Sequence, residues 1–492
     1  MQRDEITAGP ERARRHRAPA LALLTVFALL VGACGDDDST GSAEAVPEEG
    51  SSSPATLNVP EDFATVQAAV DAAAPGDLVL VAPGVYEEAV DVETENVTIR
   101  GLDRNEVILD GGFELENGIR ALVDGVAVEN MTARNYTSNG FFWTGVDGFR
   151  GSYLTAYRNG DYGVYAFDSV NGQLDNSYGS GSPDAGFYVG ECFPCNVVID
   201  SVISEYNGLG YSGTNSGGEL YIVNSTFRHN RAGIVPNSGS YELCYPERET
   251  TVVGNLVHDN NETANPAIDV ALLAHGNGIL VAGGVRNTIE RNLVWNHDRT
   301  GIGLVPFPEE DASDLAPAPS EWDTSCEVAR AEPVEPIAPE DCKAIEGLLA
   351  GCVVLWDAYE NRVVGNVVEA SGVADIAVSA VDLLGTGVTT ESLGNCFTGN
   401  TFTITAPIDL EQLAPCDGAP SGGDWSAGAL DLVGLFGQPA PAPPADAYKT
   451  TPEPEPQPNM PDAATAPPRP AVDLPGSIDV DAIVVPARPE GA

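Results

Sequence analysis

The sequence predicts an all-β fold, a parallel β-helix in which one coil takes about 23 residues. Between recurring glycines the chain consists of short apolar runs broken by Asn and Gly, without the 3.6-residue period of an amphipathic helix. A β-sandwich, the alternative, would not repeat one interval. The glycines themselves follow one another at intervals of 23, 23, 24, 23, 45 and 23 residues, at Gly140, Gly163, Gly186, Gly210, Gly233, Gly278 and Gly301.

Each predicted coil consists of three short strands and their turns. The strands would pair in parallel with those of the neighbouring coils, at a spacing of about 4.8 Å. We interpret the recurring Gly and Asn residues as corner residues that adopt left-handed backbone conformations.

A capping helix is predicted within residues 63–77, because Val66, Ala69, Val70 and Ala73 would share one face and a Pro-Gly pair would end the helix. Such a cap is needed because a solenoid end exposes apolar core and unpaired strand edges. The first strands are predicted within residues 78–86, 97–99 and 107–109.

The run from Thr65 to Asp77, followed by the run from Val81 to Glu87, resembles the entry to right-handed β-helix proteins of the pectin-lyase-like superfamily. The resemblance spans roughly residues 56–415. It implies a single right-handed parallel β-helix. It implies no particular reaction, since this superfamily includes lyases, hydrolases, esterases, epimerases and non-catalytic surface proteins.

The N-terminus predicts export and lipid anchoring. A basic stretch between Arg12 and Arg17 precedes an apolar run over residues 18–31, and the residues from Val31 to Cys34 resemble a bacterial lipobox. Residues 1–34 are therefore expected to be a lipoprotein signal, with Cys34 acylated and residues 35–55 forming a flexible tether. The protein would then face outward, anchored to a membrane; an uncleaved anchor is the alternative.

The β-helix is predicted over residues 56–437, with insertions near 236–273 and 306–349 and a return of the repeat at 352–356. Long loops on one side of a solenoid commonly form its binding face, although they can also be decoration. Residues 438–492 are rich in Pro and Ala and acidic, which predicts a disordered tail.

The formal net charge of −50 excludes nucleic acid as a partner, because the protein's field would repel it. The same charge disfavours polyuronates unless a divalent cation such as Ca²⁺ bridges the two anions, and no other cofactor is indicated. A soluble or salt-tolerant surface protein would also carry such a charge. We expect a monomer.

Eight cysteines remain once Cys34 is assigned to lipidation. An even number in an oxidising compartment predicts up to four disulfides, although the sequence does not determine their pairing. A redox or zinc role for the Cys-x-x-Cys pair finds no supporting context. The candidates are Cys192, Cys195, Cys244, Cys326, Cys342, Cys352, Cys396 and Cys416.

Ionisable groups suited to acid/base chemistry concentrate near one corner. His275 and Asp298 each lie three residues before a recurring glycine, so they should stack on neighbouring coils, and His297 and Arg299 flank Asp298. These four are the candidate catalytic residues, with a ladder of polar corner residues as the alternative. The motifs of pectin methylesterases, polygalacturonases, mannuronan epimerases and pectate lyases are not recognised in the sequence.

Aromatic residues crowd the first regular coils, where alternation should bury some and expose others along one sheet. Exposed rings stack on sugars, which favours glycan binding at the cell surface; the alternatives are a polysaccharide lyase, hydrolase or epimerase, and a non-catalytic structural or adhesive scaffold. The sequence determines neither the glycan nor the partner proteins. The residues are Tyr136, Phe141, Phe142, Trp143, Tyr153, Tyr157, Tyr162, Tyr165, Tyr178, Phe187 and Tyr188.

Overall fold

Strands of neighbouring coils pair in parallel to form three long sheets around one apolar core. A computed structural model describes residues 53–310, 326, 353–382, 387–472 and 474–489. Within them sheet A has 12 strands, sheet B 10 and sheet C 11, and each coil visits the sheets in the order C, A, B. Paired residues in adjacent regular coils are 23 apart, as Val164 and Phe187 are, so the predicted period is confirmed.

Sheet A consists of β1 (Thr56–Val59), β2 (Leu78–Val81), β5 (Thr98–Gly101), β8 (Val126–Glu129), β11 (Asp147–Ser152), β14 (Val170–Asp175), β17 (Val197–Asp200), β20 (Gly217–Val223), β23 (Arg248–Val253), β26 (Thr288–Glu290), β31 (Arg362–Val364) and β34 (Cys396–Thr398). Sheet B consists of β3 (Gly84–Tyr86), β6 (Val107–Asp110), β9 (Thr132–Arg134), β12 (Thr155–Tyr157), β15 (Tyr178–Ser180), β18 (Ile203–Glu205), β21 (Thr226–Arg228), β24 (Leu256–His258), β27 (Leu293–His297) and β32 (Val367–Ser371).

Sheet C consists of β4 (Val90–Val92), β7 (Asn117–Ala121), β10 (Asn139–Thr144), β13 (Val164–Phe167), β16 (Ala185–Gly190), β19 (Leu209–Thr214), β22 (Ala232–Asn237), β25 (Ile279–Ala282), β28 (Thr300–Val305), β33 (Ala374–Val378) and β35 (Thr405–Ala406). The helices are α1 (Val66–Ala72), α2 (Asp269–Ala274), α3 (Leu410–Leu413) and α4 (Leu432–Phe436), and the 3₁₀ turns are Glu391–Leu393, Ala447–Thr450 and Val480–Ala482. Among the described residues no helix is long and apolar enough to cross a bilayer.

The predicted cap is confirmed as α1. The Thr65 side chain accepts a hydrogen bond from the Ala68 amide, and Val66, Ala69 and Val70 are buried against the first coil. The sequence analysis missed β1, which precedes the helix and pairs with β2. Among the described residues the last strand ends at Ala406, so residues 407–437 do not continue the coils: α3 packs against β34 at the C-terminal end, whereas Leu432 of α4 packs beside sheet C.

The recurring glycines line the corner between sheets B and C, and their role differs from the prediction. None of the seven has a φ in the left-handed region. A Cβ on Gly163 would lie 2.6 Å from the Gly186 carbonyl oxygen, and one on Gly278 would lie 2.5 Å from that of Gly301. These positions therefore require glycine because neighbouring coils approach too closely for a side chain.

Left-handed residues occupy other corner positions, one for each coil. In the turn between sheets A and B, the residue that directly follows the sheet A strand has a positive φ in every coil from β8 to β34; these equivalent residues are called a column here. Six of these nine residues are Asn or Gly, as the sequence predicts for left-handed corners, and the other three are Tyr153, Ser201 and Arg291. The column is Asn130, Tyr153, Asn176, Ser201, Asn224, Gly254, Arg291, Gly365 and Gly399.

The described parts of both predicted insertions lie beside sheet C, but each differs from expectation. The first is two loops, 238–247 and 259–278, separated by the coil strands β23 and β24. In the second, β29 (Phe307–Glu310) pairs antiparallel with β30 (Val353–Trp356), so 352–356 does not resume the repeat as predicted. Most of the residues between these two strands lie outside the described ranges.

The C-terminal segment is not the disordered tail that its composition predicts. Residues 438–472 and 474–489, here called the strap, lie along the coils, and arginine side chains of the solenoid donate hydrogen bonds to strap carbonyls. Arg158 Nε lies 2.6 Å from the Thr451 oxygen, and Arg291 Nη2 lies 2.7 Å from that of Val480. A carbonyl oxygen can accept two hydrogen bonds, so the Val480 oxygen accepts from the arginine as well as from the Ile483 amide of its own 3₁₀ turn.

The strap runs towards the N-terminal coils and then returns. Arg100 of β5, buried with Glu129, donates to the carbonyls of Ala466 and Pro467 at 2.7 and 2.9 Å. Near the end of the chain, Arg488 pairs with Glu369 of β32 at 2.8 Å. The strap therefore contacts both early and late coils.

Gly278→Ala is expected to lower the free energy of unfolding by about 1–3 kcal/mol, because the new methyl group would overlap the neighbouring coil. Urea unfolding measures the effect. Gly476→Ala is the control, since its Cβ would meet nothing closer than Gln173 Oε1 at 3.9 Å. Equal losses in the two variants would contradict the close-approach explanation.

Arg158→Met is expected to increase the rate of proteolysis within the strap by about 10-fold, because one hydrogen bond from a charged donor contributes about 1.5–3 kcal/mol. Limited digestion followed by mass spectrometry locates the cuts. Arg362→Met is the control, since Arg362 is exposed on β31 and makes no hydrogen bond to a described strap residue. An unchanged cleavage rate in Arg158→Met would show that the arginine contact does not hold the strap.

Candidate functional site

Sheet C carries a row of aromatic side chains on its outer face. Phe142 of β10 is paired with Tyr165 of β13, which is paired with Tyr188 of β16. The preceding residues on these strands, such as Phe141 and Phe187, are fully buried in the core. Since successive strand residues point to opposite faces, the row lies outside.

Tyr162 joins this row to form a cluster of four rings, here called the aromatic platform (Phe142, Tyr162, Tyr165 and Tyr188). Tyr165 stacks between Phe142 and Tyr162, with ring centroids 4.6 and 4.2 Å away and interplanar angles of 12° in both pairs. Tyr188 meets Tyr162 and Tyr165 edge-on, at 4.9 and 5.0 Å. Tyr162 and Tyr165 are half-buried and offer the accessible part of the platform.

Carboxyl groups bind the tyrosine hydroxyls. The Tyr162 hydroxyl donates to Asp184 Oδ2 at 2.5 Å, and the Tyr188 hydroxyl lies 2.6 and 2.7 Å from the two oxygens of Glu242. Glu191 accepts from the Leu243 amide at 3.0 Å and so holds loop 238–247 beside the platform. The site therefore combines apolar ring surface with carboxyl oxygens.

Burial raises the pKa of these carboxyl groups. The pKa of Asp184 rises to about 8, also because Asp161 stacks one coil below it, where the Asp184 amide donates to the Asp161 carbonyl. Burial raises the pKa of Asp161 to about 6. Burial, with the nearby negative charge of Glu191, raises the pKa of Glu242 well above its ordinary value.

Asp184 has unused hydrogen-bonding capacity. Its residue is only 7% exposed, and its Oδ1 atom has no hydrogen-bond partner among the described residues. A buried polar atom without a partner is costly, so a hydroxyl donor reaching it would bind favourably.

The outer face of sheet C is covered beyond the platform. Helix α2 and residues of three other segments pack against the strands from β16 onward, and this contact forms a second apolar cluster. In the row, Tyr165 of β13 is therefore partly exposed, Phe142 of β10 is 7% exposed, and the face is closed at β16. The covered strand residues include Ala185, Leu209, Ala232, Val235, Leu280 and Ala282, and those covering them include Ala271, Ala274, Leu243, Phe307 and Leu432.

Three of the predicted catalytic residues lie at one corner, between sheets B and C, as the register indicated: His275, Asp298 and Arg299. His275 follows α2 and is 8% exposed, and the Arg299 amide donates to the Gly276 carbonyl at 2.7 Å. The Arg299 guanidinium donates to the carbonyls of Leu273 and Gln438 at 2.8 and 2.6 Å, so it links α2 to the strap. No hydrogen bond joins His275 to Asp298 in the described residues.

His297 points into the solenoid instead. Its Nε2 atom lies 3.2 Å from Asn260 Nδ2. Asn260 belongs to a buried series of asparagines on successive coils. In this series the Asn207 amide donates to the side-chain oxygen of Asn230, and the Asn230 amide donates to that of Asn260. Burial lowers the pKa of His297 to about 3, so its ring is neutral. This environment argues against the predicted acid/base role and favours the polar-ladder alternative.

Three disulfides connect predicted cysteines: Cys192–Cys195, Cys244–Cys326 and Cys396–Cys416. Cys244 lies in loop 238–247, so its bond fixes the loop that flanks the platform. Cys34, Cys342 and Cys352 lie outside the described residues.

No group of three or more His, Cys, Asp or Glu side chains in the described part of the chain is placed to hold a metal ion. The structure thus assigns no residues to the Ca²⁺ that the sequence analysis allowed.

Residues 139–305 match the family model described as "Right handed beta helix region". The fold is a right-handed parallel β-helix. This β-helix has no match among curated proteins.

Solved structures similar to this β-helix come from several sources. The A-module of Azotobacter vinelandii mannuronan C-5 epimerase AlgE4 is 16% identical, with a TM-score of 0.45 over 73% of this chain and 96% of its own. An alginate lyase from Paenibacillus sp. str. FPU-7 is 16% identical, with a TM-score of 0.33 over 51% and 90%. ORF18 of Geobacillus virus E2 is 12% identical, with a TM-score of 0.42 over 70% and 60%. Identities and scores this low do not indicate what this chain binds.

The aromatic row is predicted by the sequence, but its carboxyl groups are not among the predicted site residues. A usable signal was present for two of them, because Asp161 and Asp184 lie two residues before Gly163 and Gly186 and are therefore one coil apart. Glu242 had no such signal, since its loop lies outside the repeat.

Asp184→Asn is expected to stabilise the protein at pH 8.5 by more than about 1 kcal/mol and to change little at pH 4. Burial raises the pKa of Asp184 to about 8 in the folded protein, from an ordinary value of 3.8. The protonated carboxyl group therefore contributes fully to the free energy of unfolding below pH 3.8, and this contribution is lost as the pH rises through 8. Asparagine does not ionise but still accepts from Tyr162. Urea unfolding at both pH values tests this; an equal difference at both would contradict the raised pKa.

Proposed function

We propose that this β-helix binds a polysaccharide on the open part of sheet C. The observation that carries the proposal is the partly exposed stack of Tyr162 and Tyr165 beside the carboxyl oxygens of Asp161 and Asp184. Aromatic rings provide flat apolar surface for sugar rings, and a few fixed polar groups orient the hydroxyls. The flanking loops, one of them held by a disulfide, form the walls.

We propose further that the protein acts at the outer cell surface, anchored through a lipid on Cys34. The basic, apolar and lipobox-like stretches of residues 12–34 support this address. The disulfides at Cys192–Cys195 and Cys396–Cys416 fit an oxidising compartment.

Glycosidic bond hydrolysis is a second candidate, favoured by the stacked pair Asp161 and Asp184. Their pKa values of about 6 and about 8 would keep one carboxyl protonated and the other ionised near neutrality. The protonated group would donate its proton to the glycosidic oxygen as the C–O bond breaks, and the carboxylate, stacked about 5 Å away, would bond to the anomeric carbon. Water would then displace the carboxylate and release the sugar, giving its proton back to the first group. Release of reducing sugar by the wild type but not by Asp184→Asn would favour this candidate over binding alone.

Tyr165→Ala is expected to weaken polysaccharide binding by about 10-fold, because it removes the ring at the centre of the platform. Affinity electrophoresis of the full chain against immobilised polysaccharides measures the effect. Tyr221→Ala is the matched control, since Tyr221 is half-buried on the outer face of sheet A. If none of the polysaccharides retains the folded wild-type protein, the scaffold alternative remains. If Tyr165→Ala binds with the affinity of the wild type, the binding site lies elsewhere.

A further inference from the structure

We propose that the platform accepts the end of an uncharged glycan chain, rather than a stretch within a polyuronate. This inference rests on the proposed function and names the ligand class of the same site. It follows from the charges around the platform, from the covered end of sheet C and from the partnerless oxygen of Asp184.

Sheet C offers no free cation for an anionic sugar. Arg120 of β7 is the only Lys or Arg on the described strands of this sheet, and its guanidinium already forms two hydrogen bonds with Asp91, at 2.9 and 2.8 Å. Burial keeps Asp184 and Glu242 largely protonated at pH 7, so Asp161 carries the negative charge of this group; a uronate binding here would bring its carboxylate towards Asp161 without a positive partner. Like charges brought together in a desolvated site cost several kcal/mol, so the arrangement selects against polyuronates.

An uncharged sugar suits the same groups. Its hydroxyls can donate to carboxyl oxygens, and Asp184 Oδ1 is a buried acceptor or, when protonated, a buried donor that no described residue uses. Tyr162 is fixed by its own bond to Asp184 Oδ2, so its ring is held in place for stacking. The site therefore provides both elements that orient a neutral sugar.

The platform is closed at one end along the solenoid axis. Tyr188 is 2% exposed and bound to Glu242, and the next positions of the row, Ser212 of β19 and Val235 of β22, are 3% and 0% exposed, with Val235 part of the second apolar cluster. A chain lying along sheet C from β7 towards β16 would meet this wall after the stacked rings. Continuous passage is blocked, so a terminal sugar would occupy the position at Tyr162 and Tyr165.

Titration calorimetry on the full chain in detergent, with matched pairs of glycans, tests both the preference for an uncharged glycan and the recognition of a chain end. The pairs are mannan with mannuronan and galactan with polygalacturonate, together with 1,3- and 1,4-linked glucans in several lengths. We expect at least one neutral glycan to bind at least 10-fold more tightly than its uronate counterpart, with a constant number of protein molecules per chain as the chain lengthens.

Equal or tighter binding of the uronates would overturn the charge argument, and a stoichiometry that rises with chain length would overturn end recognition. Asp161→Asn is the matched variant, because it keeps the size of the side chain and removes the charge of the carboxyl group that is ionised at pH 7; the preference for the neutral member should shrink. An unchanged preference would also count against the charge argument. If the folded protein binds none of the glycans, the proposed function itself fails, which differs from binding with the wrong preference.

Discussion

The coils of this protein approach one another so closely at the corner between sheets B and C that a side chain cannot fit. The Cβ that Gly278 lacks would lie 2.5 Å from the Gly301 carbonyl oxygen, and the same contact recurs along the corner. This approach fixes the register of the following sheet C strand, because the backbone can pass only with glycine at that position. The alternation of buried and outward residues on sheet C, and with it the position of Tyr165, depends on that register.

Inside the solenoid, buried amide groups extend the same constraint. One series of asparagines runs along the coils through Asn255, Asn292, Asn366 and Asn400. The backbone amide of each of the first three donates to the side-chain oxygen of the next asparagine in the series, at 3.0, 2.9 and 2.9 Å. Such buried polar groups are stable because they are hydrogen-bonded to one another. His297 ends a similar series, which explains why a histidine beside Asp298 lies inside the protein.

Much of the fold could be predicted from the sequence because it follows from a local interval. From the interval between the recurring glycines we could predict the coil length, the neighbours of each strand and the stacking of His275 above Asp298. The orientation of His297 could not be predicted, because the left-handed backbone of Asn296 breaks the alternation of β27 and turns the next side chain inward, while Asp298 already lies in the turn. Glu242 could not be placed either, since its position depends on a loop tied through Cys244.

Composition misled the analysis where long-range contacts decide the structure. The strap has the Pro-rich, acidic composition of disordered chain, yet Arg100, Arg158 and Arg291 bind its carbonyls. These arginines are far apart in sequence, and nothing local in residues 438–489 signals that they will meet the strap.

The strap also changes how the solenoid should unfold. In a repeat protein each coil contacts only its neighbours, so the ends can fray independently of the middle. Here one continuous segment is bonded near Arg299 in a late coil, at Arg100 in an early coil and again near Glu369. Loss of any one coil therefore releases contacts that also restrain distant coils, which couples the array into a more cooperative unit. The strap can complete these contacts only after the coils have stacked, so its docking belongs to the last stage of folding.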